Sequence, residues 1–445
     1  MSRKLPDNVP VPPVKSVEKT GWVTQTRKYK VITPLYGGGE EIQKADSVTV
    51  VRSTEVRGHL RFWWRATRGG AFGGNLEKMK QREEEIWESP GGKDKKGKEK
   101  PGPSKVIVRI IDWGKGDLIK KVKDKKGKMV DIGDPGSTWS YVAFPLREQE
   151  NEPSGSVLSD VYFGVEIAYP QDLAGDVESA VWAWETFGGI GARTRRGFGA
   201  LLCMKAVQNG KDITAPLPEP QNVVQTIKKG ISDHVVAGKW PEGVPHISEK
   251  IRFYVTPKKE KPDWAWEYLF KALQDFRQKD ARYDRKTGKK SEYGMSRWPE
   301  ANAIRVAFGL SPKFPEGIPH KIIKKFPRGA FGLPIGFEMH HDKSIRERPE
   351  LRGVEHDRLA SPLVLRPIAC SEGAVGLAAI LEWDPMPGDE RYTPPGGLIL
   401  KDAPGDPQVF SKLEPDEAAQ IPPLKGEKDI LQAFLNFLEK SGGTN

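Results

Sequence analysis

Three arginines sit inside a glycine-rich turn, Gly188–Gly199, which reads Gly-Gly-Ile-Gly-Ala-Arg-Thr-Arg-Arg-Gly-Phe-Gly. Guanidinium groups carry fixed positive charge and forked donors that match phosphate oxygens. Gly188, Gly189, Gly191, Gly197 and Gly199 let the backbone take positive φ and approach a ligand closely. Successive N–H groups in such a turn can form an anion-binding nest. The chemistry indicated is phosphate binding, with Arg193, Arg195 and Arg196 as contacts; a solvated turn without a ligand is the plain alternative. A second set, Arg57, Arg61, Arg65 and Arg68, recurs at i, i+4, i+8 and i+11. That spacing gathers all four on one face of a helix, and Gly58 among them allows close backbone approach. A solvated charged face is again the alternative.

Other chemistries find little support. His340, His341 and Asp342 are adjacent, so their side chains diverge, and His320 and His356 have no partner at a ligand spacing. H-E-x-x-H, D-x-D and G-x-S-x-G are missing. Cys203 and Cys370 lie far apart and form no C-x-x-C, which argues against a disulfide scaffold or a zinc ribbon. We expect no metal and no cofactor.

The elements around these residues narrow the ligand. Residues 174–187 read as a helix, with Val177, Ala180, Val181, Trp184 and Phe187 on one face. Phe198–Val207 reads as a strand. Mononucleotide and dinucleotide sites need strand, loop, helix; here the order is reversed, which favours the closing connection of an RNA-binding unit. Residues 56–68 read as a helix with Leu60, Trp63, Trp64 and Thr67 on one side, and core packing of both tryptophans is favoured over base stacking. With strands at Tyr29–Thr33, Lys105–Asp112 and Val157–Ala168, the order is β-α-β-β-α-β. Residues 1–20 read as an extended arm, and two lysine-rich insertions fall near 76–104 (opening with a charged helix, Leu76–Glu88) and 114–137. The second insertion reads as a projecting hairpin or a disordered loop.

Residues 211–247, with five prolines, read as a connection. Beyond it come a strand at Ile251–Val255, helices at Asp263–Arg282, Ala301–Phe308 and Asp429–Lys440, and strands at Gly329–Met339, Leu359–Ala369 and Gly376–Trp383. The expected class is α+β, with two tandem ferredoxin-like, RRM-like domains at 1–210 and 248–445. At 445 residues the chain suits two or three domains. Its 71 Lys+Arg against 60 Asp+Glu give a net charge of +11, which favours a polyanionic partner. Neither a membrane-spanning apolar run nor a signal pattern is present, so the expectation is a cytoplasmic chain with no membrane partner.

Three segments together carry a resemblance. They are Ile32-Thr-Pro-Leu-Tyr-Gly-Gly-Gly39 with Val56-Arg-Gly-His-Leu-Arg-Phe-Trp-Trp-Arg65, the Gly188–Gly199 turn, and Phe331-Gly-Leu-Pro-Ile-Gly-Phe337 with Ala360-Ser-Pro-Leu-Val-Leu-Arg366. In this order they resemble the RAMP superfamily of CRISPR-associated proteins, and within it the first-subunit family of the Cmr module, the type III-B effector. The resemblance implies two RAMP domains. It also implies a place at the end of a ribonucleoprotein with CRISPR guide RNA, target RNA and other RAMP subunits as partners. The RNA contacts would come from Arg52, the helix stripe with Gly58, and the three loop arginines. On charge and neighbourhood alone, Arg297, Arg305, Arg328 and Arg358 are candidates for a second-domain groove. Such binding should be salt-dependent and sequence-tolerant, since base pairing carries the sequence.

The same resemblance raises two enzyme alternatives. Asp46 lies in the loop comparable to that of a catalytic aspartate in type III backbone subunits, near Glu40 and Glu41, and could position a Mg²⁺-bound water. Mg²⁺ is expected only in that case. His59, inside the arginine helix, is the candidate acid–base for guide processing. A general RNA-binding protein with duplicated ferredoxin-like folds is a third reading; the lack of a strand with exposed ribonucleoprotein-motif aromatics counts against it.

Overall fold

The computed structural model describes residues 21–37, 46, 49–88, 102–114, 116–148, 153–278, 296–313, 322, 324–339, 342, 344–383 and 397–442. The expected arm at 1–20, Glu40, Glu41, His320, His340, His341 and the centre of the first lysine-rich tract lie outside them. The architecture is mixed helix and sheet.

The first unit is built on β1 (Trp22–Val31), α1 (Ser53–Arg68), α2 (Leu76–Trp87), β2 (Ile107–Trp113), β3 (Tyr162–Pro170), α3 (Ala174–Phe187), β4 (Leu201–Gln208) and β5 (Lys211–Asp212). The strands form one antiparallel sheet in the order β5-β4-β1-β3-β2. Helices α1 and α3 cover one face. Trp184 meets Tyr29 of β1 at 5.4 Å and Trp63 meets Phe187 at 6.0 Å between ring centroids. Trp63 and Trp64 are both buried, so the aromatic face of α1 is core.

Strand β1 begins at Trp22 rather than Tyr29. Its inward positions include polar Gln25 and Arg27, which hide the apolar alternation. Both are satisfied inside: Gln25 donates to Tyr169 and Gln208, and Arg27 pairs with Glu185 at 2.9 Å. The expected strand Val157–Ala168 is two strands in two sheets. Val157–Ser159 pairs with Leu35–Tyr36 and Asp117–Ile119. The break falls at Asp160, whose φ of 50° ends the extended run. The charged helix expected at 76–88 is present as α2, and it buries Met79, Ile86 and Trp87 in the main core, so this part of the first lysine-rich insertion is packed into the fold. In the second lysine-rich stretch, Lys121–Lys123 and Met129–Asp131 form a hairpin.

The region 211–247 holds an unforeseen helix, α4 (Val223–His234). Its Gly230 lies against Trp182 of α3 so closely that an added Cβ would sit 2.3 Å from the indole nitrogen.

The second unit contains β6 (Arg252–Val255), α5 (Pro262–Gln278), α6 (Glu300–Ala307), β7 (Leu363–Ala369), β8 (Ala374–Ile380) and α7 (Ile430–Gly442). Its sheet runs β6-β8-β7, antiparallel. Strand β8 is buried at every position because both faces are covered. Leu363, Leu365, Ala378 and Ile380 pack with Leu269 and Leu273 of α5 and Phe434 of α7. Val364, Val375, Leu377 and Ala379 join the core of the first unit. The two units therefore share apolar core, and each shared side chain removed from water adds of order 1.5–3 kcal/mol to their union. The expected strand Gly329–Met339 is instead a 3₁₀ turn, Pro327–Phe331, followed by a two-residue strand, Ile335–Gly336. Pro327 and Pro334 remove ladder donors there.

Candidate nucleic-acid interface

Helix α1 buries Val56, Leu60, Trp63, Trp64, Ala66 and Thr67, which turns its arginines outward as the spacing required. Each of them, however, meets a carboxylate of its own chain. Arg57 pairs with Glu88. Arg61 and Arg65 share Glu83 of α2, at 2.8 and 2.5 Å. Arg68 faces Asp176 at 3.7 Å, and the same carboxylate accepts from Trp64 Nε1 at 2.7 Å. The stripe exists as expected, but it is neutralised from within, so a phosphate there has to compete with fixed acids. At Gly58 an added Cβ would meet nothing within 4 Å.

The two enzyme candidates lie at the start of this helix. Asp46 accepts the Thr49 N–H at 2.9 Å and the Arg52 guanidinium at 2.7 Å, so both its oxygens and Arg52 are engaged in the turn that leads into α1. His59 stacks on Trp184 with 16° between ring planes, and its Nε2 lies 4.0 Å from Glu55. Burial pushes the His59 imidazolium down from 6.5 to about 4, so the ring is neutral at neutral pH. Among the described residues, no group of three or more His, Cys, Asp or Glu side chains could hold a metal ion.

This burial has a consequence for stability. The folded His59 resists a proton that the unfolded chain takes up near 6.5. Stability is therefore fully present above pH 6.5 and lost as pH falls toward 4. The loss at pH 5 is about 2 kcal/mol from this one group. Denaturant unfolding at pH 7 and pH 5 checks it: His59→Gln should remove most of the difference, and an equal difference in both proteins would refute the assignment.

The Gly188–Gly199 turn begins where α3 ends. Several of its backbone donors are already used. Ile190 N–H donates to Gly199 O, Gly191 N–H to Glu55 Oε1 at 2.6 Å, Ala192 N–H to Tyr36 O, and Gly199 N–H to Pro34 O. At Ile190, Gly191, Ala192 and Gly199 this leaves no N–H free for the expected anion nest, because these groups bind the chain's own oxygens. The glycines serve close packing instead. Gly199 has φ +64°, and a Cβ there would lie 1.8 Å from Ile190 O. Gly197 has φ +83°, and a Cβ would lie 2.5 Å from Trp266 of the second unit. Gly188 and Gly189 are similarly confined by Trp63 and by the Gly199 carbonyl, and Gly191 by the Tyr36 carbonyl.

The side chains of the turn reach across the junction. Arg195 donates to Ser361 O and lies over the Phe62 ring. Arg196 donates to Phe331 O at 3.1 Å and Leu363 O at 3.3 Å, while Trp266 Nε1 donates back to Arg196 O at 2.7 Å. Arg193, at φ +57°, lies 4.9 Å over the Phe144 ring, and its buried Nε has no partner among the described residues. Arg277 of α5 joins them: it raises the repulsion on Arg196, donates to Tyr141, and also keeps a buried Nε without a partner. Among the described residues, the charges acting on Arg193 and Arg196 are those of tyrosines and other arginines, and none of the three turn arginines forms an ion pair with a carboxylate. Burial lowers Arg195 to about 10 and, with its cationic neighbours, Arg196 to about 9. All stay charged at neutral pH. An uncompensated cluster of this kind is relieved by any anion that reaches it.

In the opposite direction, Arg366 of β7 is 1% exposed and donates to Glu185 O, Gly188 O and Leu201 O of the first unit, at 2.6, 2.9 and 2.9 Å. Sequence reasoning assigned it no role. Its signal was an arginine in the middle of the apolar run Leu363–Ala369, where a charge needs acceptors from elsewhere in the fold. The second-domain candidates divide. Arg305 is buried against Asp342 at 2.9 Å and Asn302, which corrects its placement in a groove. Arg328 pairs with buried Glu300 at 3.1 Å and donates to Arg277 O. Arg297 donates to Asp275 O. Arg358 is exposed on the segment leading to Ser361.

Comparison with known proteins places this geometry. Residues 28–202 match the model of the RAMP superfamily. The CRISPR system Cmr subunit Cmr1-2 of Pyrococcus furiosus is 28% identical over 189 residues, covering 39% of this chain and 90% of that protein. Subunit Cmr1-1 of the same organism is 25% identical over 162 residues, 35% of this chain and 41% of that protein. Among solved structures, the apo crystal structure of Cmr1 from Pyrococcus furiosus aligns with a TM-score of 0.48 at 15% identity, over 85% of this chain and 94% of that one. A chain of the type III-B Cmr-beta complex bound to cognate target RNA aligns with a TM-score of 0.46 at 13% identity, over 81% and 94%. The family match spans both α1 and the arginine turn, and over that region the chain is similar to the RAMP superfamily and to the Cmr1 subunits of Cmr systems.

Proposed function

We propose that this chain is an RNA-binding subunit of a type III-B CRISPR ribonucleoprotein effector. In this role it holds guide RNA, or the guide–target duplex, beside other RAMP subunits in the cytoplasm. One observation carries the reading: Arg193, Arg195, Arg196 and Arg277 gather at the junction of the two units, and among the described residues no carboxylate pairs with the turn arginines. A polymer phosphate supplies the missing negative charge, and contacts of this kind position RNA without reading its sequence. The likeness to Cmr subunits supports the choice of effector.

We read the two units as tandem ferredoxin-like domains, 1–210 and 248–445, joined by 211–247. The order β4-β1-β3-β2 with helices on one face supports this for the first, and β6-β8-β7 with α5 and α7 supports it for the second. Two measurements test the function. Four phosphate contacts give a salt slope near 3.6, so affinity for an RNA duplex should fall about 100-fold between 50 and 200 mM salt. The chain isolated with its native partners should bring RAMP subunits and a small guide RNA with it. Salt-independent binding, or recovery without RNA, would refute the proposal.

A further inference from the structure

The face of the first sheet opposite α1 and α3 carries exposed side chains, and Asp263 at the start of α5 acts on Lys30 at its edge. On it Lys28 of β1 stands directly opposite Lys205 of β4. Both are exposed. Like charges directly opposite on an antiparallel pair repel. The pairing is produced by a β-bulge: the register shifts between Lys28 and Tyr29, so Tyr29 pairs with Cys203, Lys28 pairs with Lys205, and Met204 is the extra residue. Side chains alternate faces along a strand, so without the extra residue Lys205 would fall on the helix side. The bulge turns it outward beside Lys28.

The neighbours on this face are mixed in a particular way. Lys30 lies over the ring of Tyr162 at 5.2 Å. Tyr162 is 39% exposed, Met204 43% and Ile111 45%. The carboxylates at hand among the described residues already have cationic partners: Asp160 lies 4.0 Å from Lys30, Glu166 3.4 Å from Arg109, Asp212 is acted on by Lys205, and Asp263 of α5 by Lys261 and Lys30. Lys28 has no carboxylate partner among the described residues. Lysines interleaved with an exposed aromatic ring and flat apolar side chains suit a flexible polyanion whose units also carry stacking surfaces. An acidic protein segment would use the lysines but not the ring.

We infer that this open face, centred on Lys28, Lys205 and Tyr162, is a second nucleic-acid surface that takes a single RNA strand, apart from the arginine cluster at the unit junction. The inference shares with the proposed function only that the chain works on RNA. The test uses the full chain and a fluorescent 12-nucleotide oligouridylate, which forms no duplex. Lys28→Gln with Lys205→Gln should weaken binding about tenfold and lower the salt slope by about 1.4, two single-strand phosphates' worth. Tyr162→Ala should weaken it about tenfold with the slope unchanged, as loss of one stacked base requires. The lysine variant should unfold at the same temperature as the parent or higher, since it removes a repulsion. Wild-type affinity in both sheet variants overturns the inference. If Arg193→Gln with Arg277→Gln is weakened in that same series, the proposed function stands without it. Weakening in the sheet variants alone keeps the inference and removes the junction as the contact. Unchanged oligouridylate binding with loss of a co-purifying protein subunit assigns the face to a protein and likewise overturns it.

Discussion

Arg366→Met should cost about 3–5 kcal/mol and separate one cooperative unfolding transition into two, because it leaves buried carbonyls without donors. The guanidinium serves Glu185 O and Gly188 O at the end of α3 and Leu201 O at the start of β4. Two of these are terminal helix or loop carbonyls with no other donor to close them, and the site is too buried for water to replace the arginine. The third holds the strand that follows the glycine turn. Methionine fills similar volume and donates nothing. Lysine keeps the charge but not the planar fork, so Arg366→Lys should fall between. Calorimetry or denaturant unfolding followed separately by tryptophan emission and far-UV signal decides the matter. A shift under 1 kcal/mol with a single transition would show that the apolar core shared by the units, not the arginine, couples them.

The second large effect concerns binding. Arg193→Gln with Arg277→Gln should reduce affinity for an RNA duplex about tenfold for each guanidinium removed and lower the salt slope by about 1.8. The same double variant should not destabilise the RNA-free protein. Both residues keep a buried Nε without a partner, and Arg277 repels Arg196. Removing them takes away that electrostatic cost, which offsets the lost hydrogen bond from Arg277 to Tyr141 and the ring contacts with Phe144 and Phe331. Arg61→Gln with Arg65→Gln is the control with the opposite pattern. It strands the Glu83 carboxylate, which is 6% exposed, so stability should fall while RNA affinity changes less. Equal loss of affinity in both pairs would return the α1 stripe to the interface. An unaltered affinity in the junction pair would remove the cluster from it.

These expectations invert the weights that spacing alone suggests. The stripe Arg57–Arg61–Arg65–Arg68 was fully legible, as were α1, α3 and the turn between α3 and β4. Helical periodicity and the glycines are local properties, and the structure realises them where they were read. What periodicity cannot report is who faces the stripe. Glu83, Glu88 and Asp176 come from α2, from its end and from α3, and only packing brings them to the arginines. The nest reading of the turn is narrowed for a similar reason at Ile190, Gly191, Ala192 and Gly199. Its N–H groups point to Glu55, Tyr36, Pro34 and the turn itself, and these partners are distant or unremarkable in sequence.

By itself, then, the sequence determined most of the local elements, the net positive charge, and the motifs that carry the likeness to the RAMP superfamily. The tertiary structure decided which charges are spent inside the protein and which are left over. Charge is a property of a residue, but compensation is a property of its neighbours within a few ångströms, and in a low-dielectric junction those neighbours set the energy. Arg305, Arg328 and the α1 stripe are answered by carboxylates; Arg193, Arg195, Arg196 and Arg277 are gathered by the docking of β7 and α5 against the turn, with no carboxylate partner among the described residues. Arg366 was present in the quoted motif all along, yet its role depends on three carbonyls more than 150 residues away along the chain. Only the shared core of the two units brings them together.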